Sequence, residues 1–153
     1  MNQTITFNAN LEELNIFAKK LAIINKPSDI ILLQGELGVG KTTFARLWIN
    51  AIYHKMKILP PISIKSPAFP IMISYDLKKY EIYHYDLYRL NNINELDELS
   101  IFENFTNNIS IIEWPTILMK ELENKSYYSI NFSFLNNNIR KIKINHSTEN
   151  FFL

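Results

Sequence analysis

All three glycines of the chain, Gly35, Gly38 and Gly40, fall within six positions. They lie in Gly35-Glu36-Leu37-Gly38-Val39-Gly40-Lys41-Thr42, which fits G-x-x-x-x-G-K-[ST], the phosphate-binding loop. Glycine lets backbone turn at positive φ and approach a ligand closely. Turns elsewhere in the chain must be made with asparagine, proline and serine. The glycines therefore mark the one place where the backbone has to bend around something.

The flanks supply the context that the motif requires. Residues 29–34 form an apolar, β-branched run that reads as a buried strand of a parallel sheet. After the loop, Phe44, Leu47, Trp48, Ala51 and Ile52 recur at helical spacing. The loop thus joins a strand to a helix N-terminus, where N–H groups lack intrahelical partners and the dipole is positive. Such a terminus is a seat for phosphate. The amides of residues 38–43 are expected to hold a triphosphate. Lys41 neutralises its β- and γ-phosphates in this reading, and the Thr42 hydroxyl is a Mg²⁺ ligand.

Two acids close apolar runs and are candidates for the metal and for water activation. Glu113 ends Ile109-Ser110-Ile111-Ile112-Glu113, and Asp86 lies in His84-Tyr85-Asp86-Leu87-Tyr88-Arg89. An acid at the carboxyl edge of a parallel sheet stands beside the phosphate loop. The competing reading of Glu113 is a solvated strand end. That of Asp86 is a turn cap or an ion pair with Arg89. His84, with no clustered partner, reads as a core or hairpin histidine.

The remaining segments complete an α/β pattern. Residues 4–7 read as an edge strand. Asn10 with Glu13 resembles a capping box that opens a helix through Ile24, with Leu14, Phe17, Ala18 and Leu21 inward. Residues 55–70 carry Pro60, Pro61, Pro67 and Pro70 and are expected to be irregular. Residues 71–75 and 80–87 form a hairpin pair. Residues 94–105 form one helix or two short ones, 110–113 a buried strand and 116–123 a helix. Residues 127–135 and 139–145 are strands around an Asn136-Asn137-Asn138 turn suited to left-handed backbone. The fold class is an α/β phosphate-loop NTPase-like three-layer fold on a mixed sheet, with a parallel core and antiparallel hairpins.

Composition narrows the class. At 153 residues, with 47% apolar content, one domain over 1–146 and a tail over 147–153 are expected. A net charge of +1 speaks against a general polyanion binder. With no cysteine there is no disulfide and no thiol nucleophile. The opening residues show no signal peptide, and no apolar run reaches the ~20 residues of a membrane span. A soluble, cytoplasmic location is the expectation. With no glycine after Gly40, a D-x-x-G switch and a transporter-type signature are excluded. No N-K-x-D guanine motif occurs either. A small-metabolite kinase, the alternative, brings several arginines to the phosphoryl group. Here only Arg46, Arg89 and Arg140 are available, and Arg46 reads as a surface residue or ion pair.

Four segments in order carry a family resemblance: the glycine loop through Thr43, Lys65-Ser66-Pro67-Ala68-Phe69, His84-Tyr85-Asp86-Leu87-Tyr88-Arg89-Leu90, and Ile112-Glu113-Trp114-Pro115. Together they resemble the bacterial TsaE family of tRNA threonylcarbamoyladenosine biosynthesis. The resemblance implies a slow Mg²⁺-dependent ATPase. Its partners are the subunit that transfers threonylcarbamoyl to adenosine and that subunit's paralogue, of the TsaD and TsaB type, with tRNA reached through the complex. By carry-over, ATP lies along Glu36, Leu37, Gly38, Val39, Gly40, Lys41, Thr42 and Thr43, with Trp114 beside it. Glu113 matches the metal-site acid, Asp86 the aspartate needed for activity and metal, and Lys41 the phosphate-binding lysine. Residues 65–69 match a switch-like segment near the γ-phosphate. Ala68 departs from the family's usual threonine and supplies no hydroxyl.

Overall fold

The apolar run ahead of the glycine loop becomes the central strand of a seven-stranded mixed sheet. A computed structural model describes residues 4–147. Its strands are β1 (Thr4–Ala9), β2 (Ile30–Gln34), β3 (Met72–Asp76), β4 (Glu81–Asp86), β5 (Ile109–Glu113), β6 (Tyr128–Phe134) and β7 (Arg140–His146). The helices are α1 (Leu11–Ile24), α2 (Lys41–Lys55), α3 (Asn94–Glu98) and α4 (Ile101–Asn104). The sheet order is β1-β7-β6-β2-β5-β4-β3. Strand β2 lies parallel to both neighbours, β5 and β6, and β4 lies parallel to β5. The pairs β3–β4, β6–β7 and β1–β7 are antiparallel, so the fold class is the one expected.

Side-chain alternation divides the core into two layers. Ile31 and Leu33 of β2, Ile109 and Ile111 of β5 and Ile82 of β4 pack with α1 and α2. Ile30, Leu32, Tyr85 and Ile112 face the other way, toward α3, α4 and residues 115–122. Because strand side chains alternate, His84, Asp86 and Glu113 share the α2 side of the sheet with Ile82 and Ile111.

Helix α1 starts at the expected capping box: Asn10 Oδ1 accepts from the Glu13 amide, and the Glu13 carboxylate accepts from the Asn10 amide. Its end is bound to α2. Trp48 Nε1 donates to Asn25 Oδ1, and Lys55 Nζ donates to the carbonyls of Ala22 and Asn25. A cation on the last carbonyls of a helix also suits its dipole. These contacts fix the middle and the end of α2 against the end of α1.

Several local details differ from expectation. The helix expected over 116–123 is a 3-10 helix over Pro115–Leu122. Pro115 and Leu118 are both buried, and a three-residue turn puts them on one side. The Asn136–Asn138 turn contains no left-handed residue; Asn136 Oδ1 accepts from the amides of Asn138 and Ile139 and closes it instead. Outside glycine, positive φ falls on Ser28, Lys57, Ile71, Lys78, Ser100, Asn107 and Trp114. As expected, the 94–105 segment holds two short helices, Asn94–Glu98 and Ile101–Asn104, and 57–70 hold no helix or strand. Of the tail expected over 147–153, Ser147 bonds to Tyr127 through both its amide and its hydroxyl. Residues 148–153 lie outside the described residues.

Candidate functional site

The glycine loop bridges β2 and α2, and its bends need glycine. Gly35, Gly38 and Gly40 have φ of 141°, 75° and 121°. At Gly35 the constraint is also steric: a Cβ would lie 2.5 Å from the Phe132 carbonyl oxygen. Strand β6 thus passes directly beneath the loop.

Lys41, the first residue of α2, is buried under the loop. Its Nζ donates to the carbonyls of Gly35 at 2.7 Å and Glu36 at 2.8 Å. It also lies 4.0 Å from the centre of the Trp114 ring, a cation–π distance. Burial lowers its pKa, opposed by the negative charges of Glu113 and Asp86.

Trp114 owes its place to a left-handed backbone step, φ 57° and ψ 54°, directly after β5. Its amide donates to the Leu33 carbonyl, and its ring packs 4.8 Å from that of Tyr88. For a bulky residue this conformation is strained, and such strain clusters at functional sites.

The two acids lie side by side, because Asp86 and Glu113 are register partners of β4 and β5. Glu113 is not a solvated strand end: it is 2% exposed. Thr42 Oγ1 donates to its Oε2 at 2.9 Å, and its Oε1 lies 2.9 Å from His84 Nε2. Asp86 caps a turn by accepting from the Tyr88 amide at 3.0 Å. Arg89 takes no part in an ion pair with it; its guanidinium donates to the Phe69 carbonyl. Burial raises the Asp86 pKa, the Tyr88 hydrogen bond lowers it and the Glu113 charge raises it again.

These residues enclose a cavity of about 250 Å³ lined by Leu37, Gly38, Gly40, Lys41, Thr42, Thr43, Ser66, Ala68, Asp86, Glu113 and Trp114. Two expected residues stand apart from that lining. Val39 turns its side chain into the core, 1% exposed, and Glu36 is exposed to solvent. A second, smaller cavity flanks the other side of the loop, between Asn10, Gly38, Thr43 and Arg140. Residues 65–69 reach the first cavity through Ser66 and Ala68. Ala68 adds no hydroxyl there, and the Ser66 hydroxyl accepts from the Ala68 amide at 3.3 Å.

The donor set fits magnesium. Thr42 and Glu113 offer hard oxygens, with Asp86 in the same cavity. No group of three His, Cys, Asp or Glu side chains suited to a metal occurs among the described residues. Magnesium does not need one, since it is commonly held by one or two carboxylates together with phosphate oxygens.

His84 was legible as a buried histidine but not as a neighbour of Glu113. The contact depends on the β4–β5 register, and a span of 29 positions gives no local signal for it. No local signal marks Arg140 as part of the loop's support, where its Nε donates to the Val39 carbonyl.

A strand, a glycine loop, a helix N-terminus and an acid on the adjoining parallel strand define an α/β protein of the phosphate-loop class. The family profile described as threonylcarbamoyl adenosine biosynthesis protein TsaE matches residues 8–142. The chain belongs to the TsaE family. It is 39% identical to the tRNA threonylcarbamoyladenosine biosynthesis protein TsaE of Rickettsia prowazekii, over 95% of each chain. The Bacillus subtilis protein of the same name is 31% identical, over 80% of this chain and 73% of its own. The crystal structure of Bacillus subtilis YdiB has the same fold, with a TM-score of 0.67 at 24% identity, over 95% of this chain and 86% of that one. No helix among the described residues is long and apolar enough to cross a membrane.

Proposed function

We propose that the chain is a Mg²⁺-dependent, ATP-binding and ATP-hydrolysing subunit required for threonylcarbamoyladenosine modification of tRNA. It acts on the complex of the threonylcarbamoyl-transferase subunit and its paralogue. Family membership and the names of the relatives support the pathway. One observation carries the ATPase reading: Thr42 and Glu113 are joined at 2.9 Å in a cavity that also holds Lys41 and Asp86.

In this reading the loop amides and Lys41 bind the phosphates. Two of the three Lys41 N–H donors hold the carbonyls of Gly35 and Glu36, which leaves one for phosphate. Thr42 and Glu113 hold magnesium, which when bound neutralises charge on the β- and γ-phosphates. Trp114 covers the Lys41 side and limits water. Asp86, whose affinity for protons is raised, accepts the proton of the attacking water. The water oxygen bonds to the γ-phosphorus, the bond to the β–γ bridging oxygen breaks, and ADP and phosphate leave. The smaller cavity across the loop accommodates the nucleoside end.

All three arginines are tied to backbone carbonyls: Arg46 to Ile64, Arg89 to Phe69 and Arg140 to Val39. That arrangement disfavours a kinase, which needs free guanidinium groups on the transferring phosphoryl.

Turnover of ATP by the purified protein, with and without the transferase pair, tests the proposal. A rate that rises only with the pair supports it. ADP release that follows an added metabolite and ignores the pair supports the kinase. Lys41→Ala is expected to abolish nucleotide binding, and unchanged affinity would overturn the loop assignment. Glu113→Ala is expected to remove turnover more than affinity; an intact rate would move the metal role to Asp86.

A further inference from the structure

We infer that His84 is a positioning residue for the magnesium site, holding the Glu113 carboxylate in the orientation that lets it serve with Thr42. The inference rests on the metal reading given above and extends it to a side chain that lies outside the cavity.

Glu113 is gripped from two directions. Thr42, on α2, donates to Oε2, and His84, on β4, meets Oε1, each at 2.9 Å. In the sheet, Glu113 pairs with Asp86, and His84 pairs with Ile111. His84 is therefore the diagonal neighbour of Glu113 on the same face, within reach of a long side chain. With a carboxylate as partner, Nε2 carries a proton and donates the hydrogen bond. Each carboxylate oxygen then accepts one protein hydrogen bond and keeps a lone pair for a cation or its water.

A role confined to packing does not account for this histidine. His84 is 0% exposed, and its Nδ1 is buried with no hydrogen-bond partner. Leaving a ring nitrogen unpaired in the interior is unfavourable, and an apolar residue would fill the space without that cost. What the imidazole offers that a hydrocarbon cannot is the donor aimed at Glu113. Without it, one oxygen of the acid is unrestrained beside the like charge of Asp86. Partners of this kind behind metal ligands typically change metal affinity or activity by about 10–100-fold when removed.

The test is calorimetric ADP binding by the whole chain, as a function of Mg²⁺ and in EDTA. His84→Leu removes the donor. His84→Gln keeps a donor near the Nε2 position. His84→Asn keeps a donor too short to reach Glu113. Affinity in EDTA is expected to stay close to wild type in all three. The Mg²⁺ concentration that gives half the metal effect is expected to rise about 10–100-fold for Leu and Asn, and to return most of the way for Gln. Folding of each variant is checked by its thermal transition. If His84→Leu does not fold, the contrast between Asn and Gln decides alone. Folded Leu or Asn variants with the wild-type Mg²⁺ requirement would overturn the inference, as would a Gln variant as impaired as Asn. If Mg²⁺ does not affect ADP binding by wild type, the metal reading itself fails and this inference falls with it.

Discussion

Arg140 donates from Nε to the Val39 carbonyl at 2.8 Å, across a chain separation of 101 positions. The same guanidinium donates from Nη1 to the carbonyls of Asn136, Asn137 and Ile139 and lies over the Phe134 ring. In a trans peptide the C=O and N–H point in opposite directions. Holding the Val39 oxygen on the hairpin side therefore turns the Gly40 N–H the other way, and the orientation of that loop amide depends on a residue more than half the chain away. Arg140→Met is expected to weaken ATP binding about 10-fold, equivalent to ~1.4 kcal/mol. Arg140→Lys should not restore it, because lysine lacks the planar fork that spans Val39 and the turn. Titration of each variant with a fluorescent nucleotide measures the effect.

The Asp86 carboxyl gives a pH prediction. Its pKa is raised above 3.8 in the folded protein, chiefly by burial. A raised folded value means that the folded state holds its proton more tightly than the unfolded chain. The resulting stabilisation is fully present below pH 3.8 and is lost as pH rises through the folded value. At neutral pH the charged group thus opposes folding. Asp86→Asn keeps the oxygen that caps the Tyr88 amide and is expected to raise the melting temperature at pH 7. The gap should narrow as the pH falls toward 3.8, while ATP turnover is lost. Parallel melts of both proteins across that pH range check it.

Gly35→Ala separates folding from binding. The added methyl would lie 2.5 Å from the Phe132 carbonyl oxygen and 2.9 Å from Val39, at a φ of 141°. It should destabilise the fold by about 1–3 kcal/mol. Nothing stands within 4 Å of a Cβ at Gly38, so Gly38→Ala meets no clash and is expected to cost only the ~1–2 kcal/mol of a left-handed backbone, at a φ of 75°. Because Gly38 lines the cavity, that variant should instead lose nucleotide affinity. Denaturant midpoints and binding isotherms for the pair distinguish the two effects.

Ala68 lines the cavity beside Ser66 and is exposed, so a hydroxyl at this position has room to meet a ligand. Ala68→Thr is expected to raise partner-stimulated turnover several-fold, the ~1 kcal/mol worth of one added hydrogen bond. An unchanged rate would show that the position makes no such contact.

The parts of the site that were readable from sequence are those coded locally. The Asn10–Glu13 cap, the α2 face of Phe44, Trp48 and Ile52 and the loop itself each depend on neighbours within a few positions. The acids were readable because an apolar run ending in a carboxylate is a local pattern too. What pairs with them was not. His84 meets Glu113 only through the alignment of β4 on β5, and Arg140 meets Val39 only because β6 carries its hairpin back beside the loop. The helix after β5 was legible but its 3-10 form was not: Pro115, Leu118 and Leu122 suit either helical period, and the choice falls to packing. Asparagine misled at 136–138, where its side chain, not left-handed backbone, closes the turn.

The pairing of β1 with β7 matches Thr4 with Asn145, and β1 runs in the same direction as β2. Both outermost described residues therefore emerge at the pole of the molecule remote from Lys41. A tether attached near either one would leave the entrance facing outward. Protein immobilised on a sensor chip this way could register ATP and the transferase pair arriving in either order.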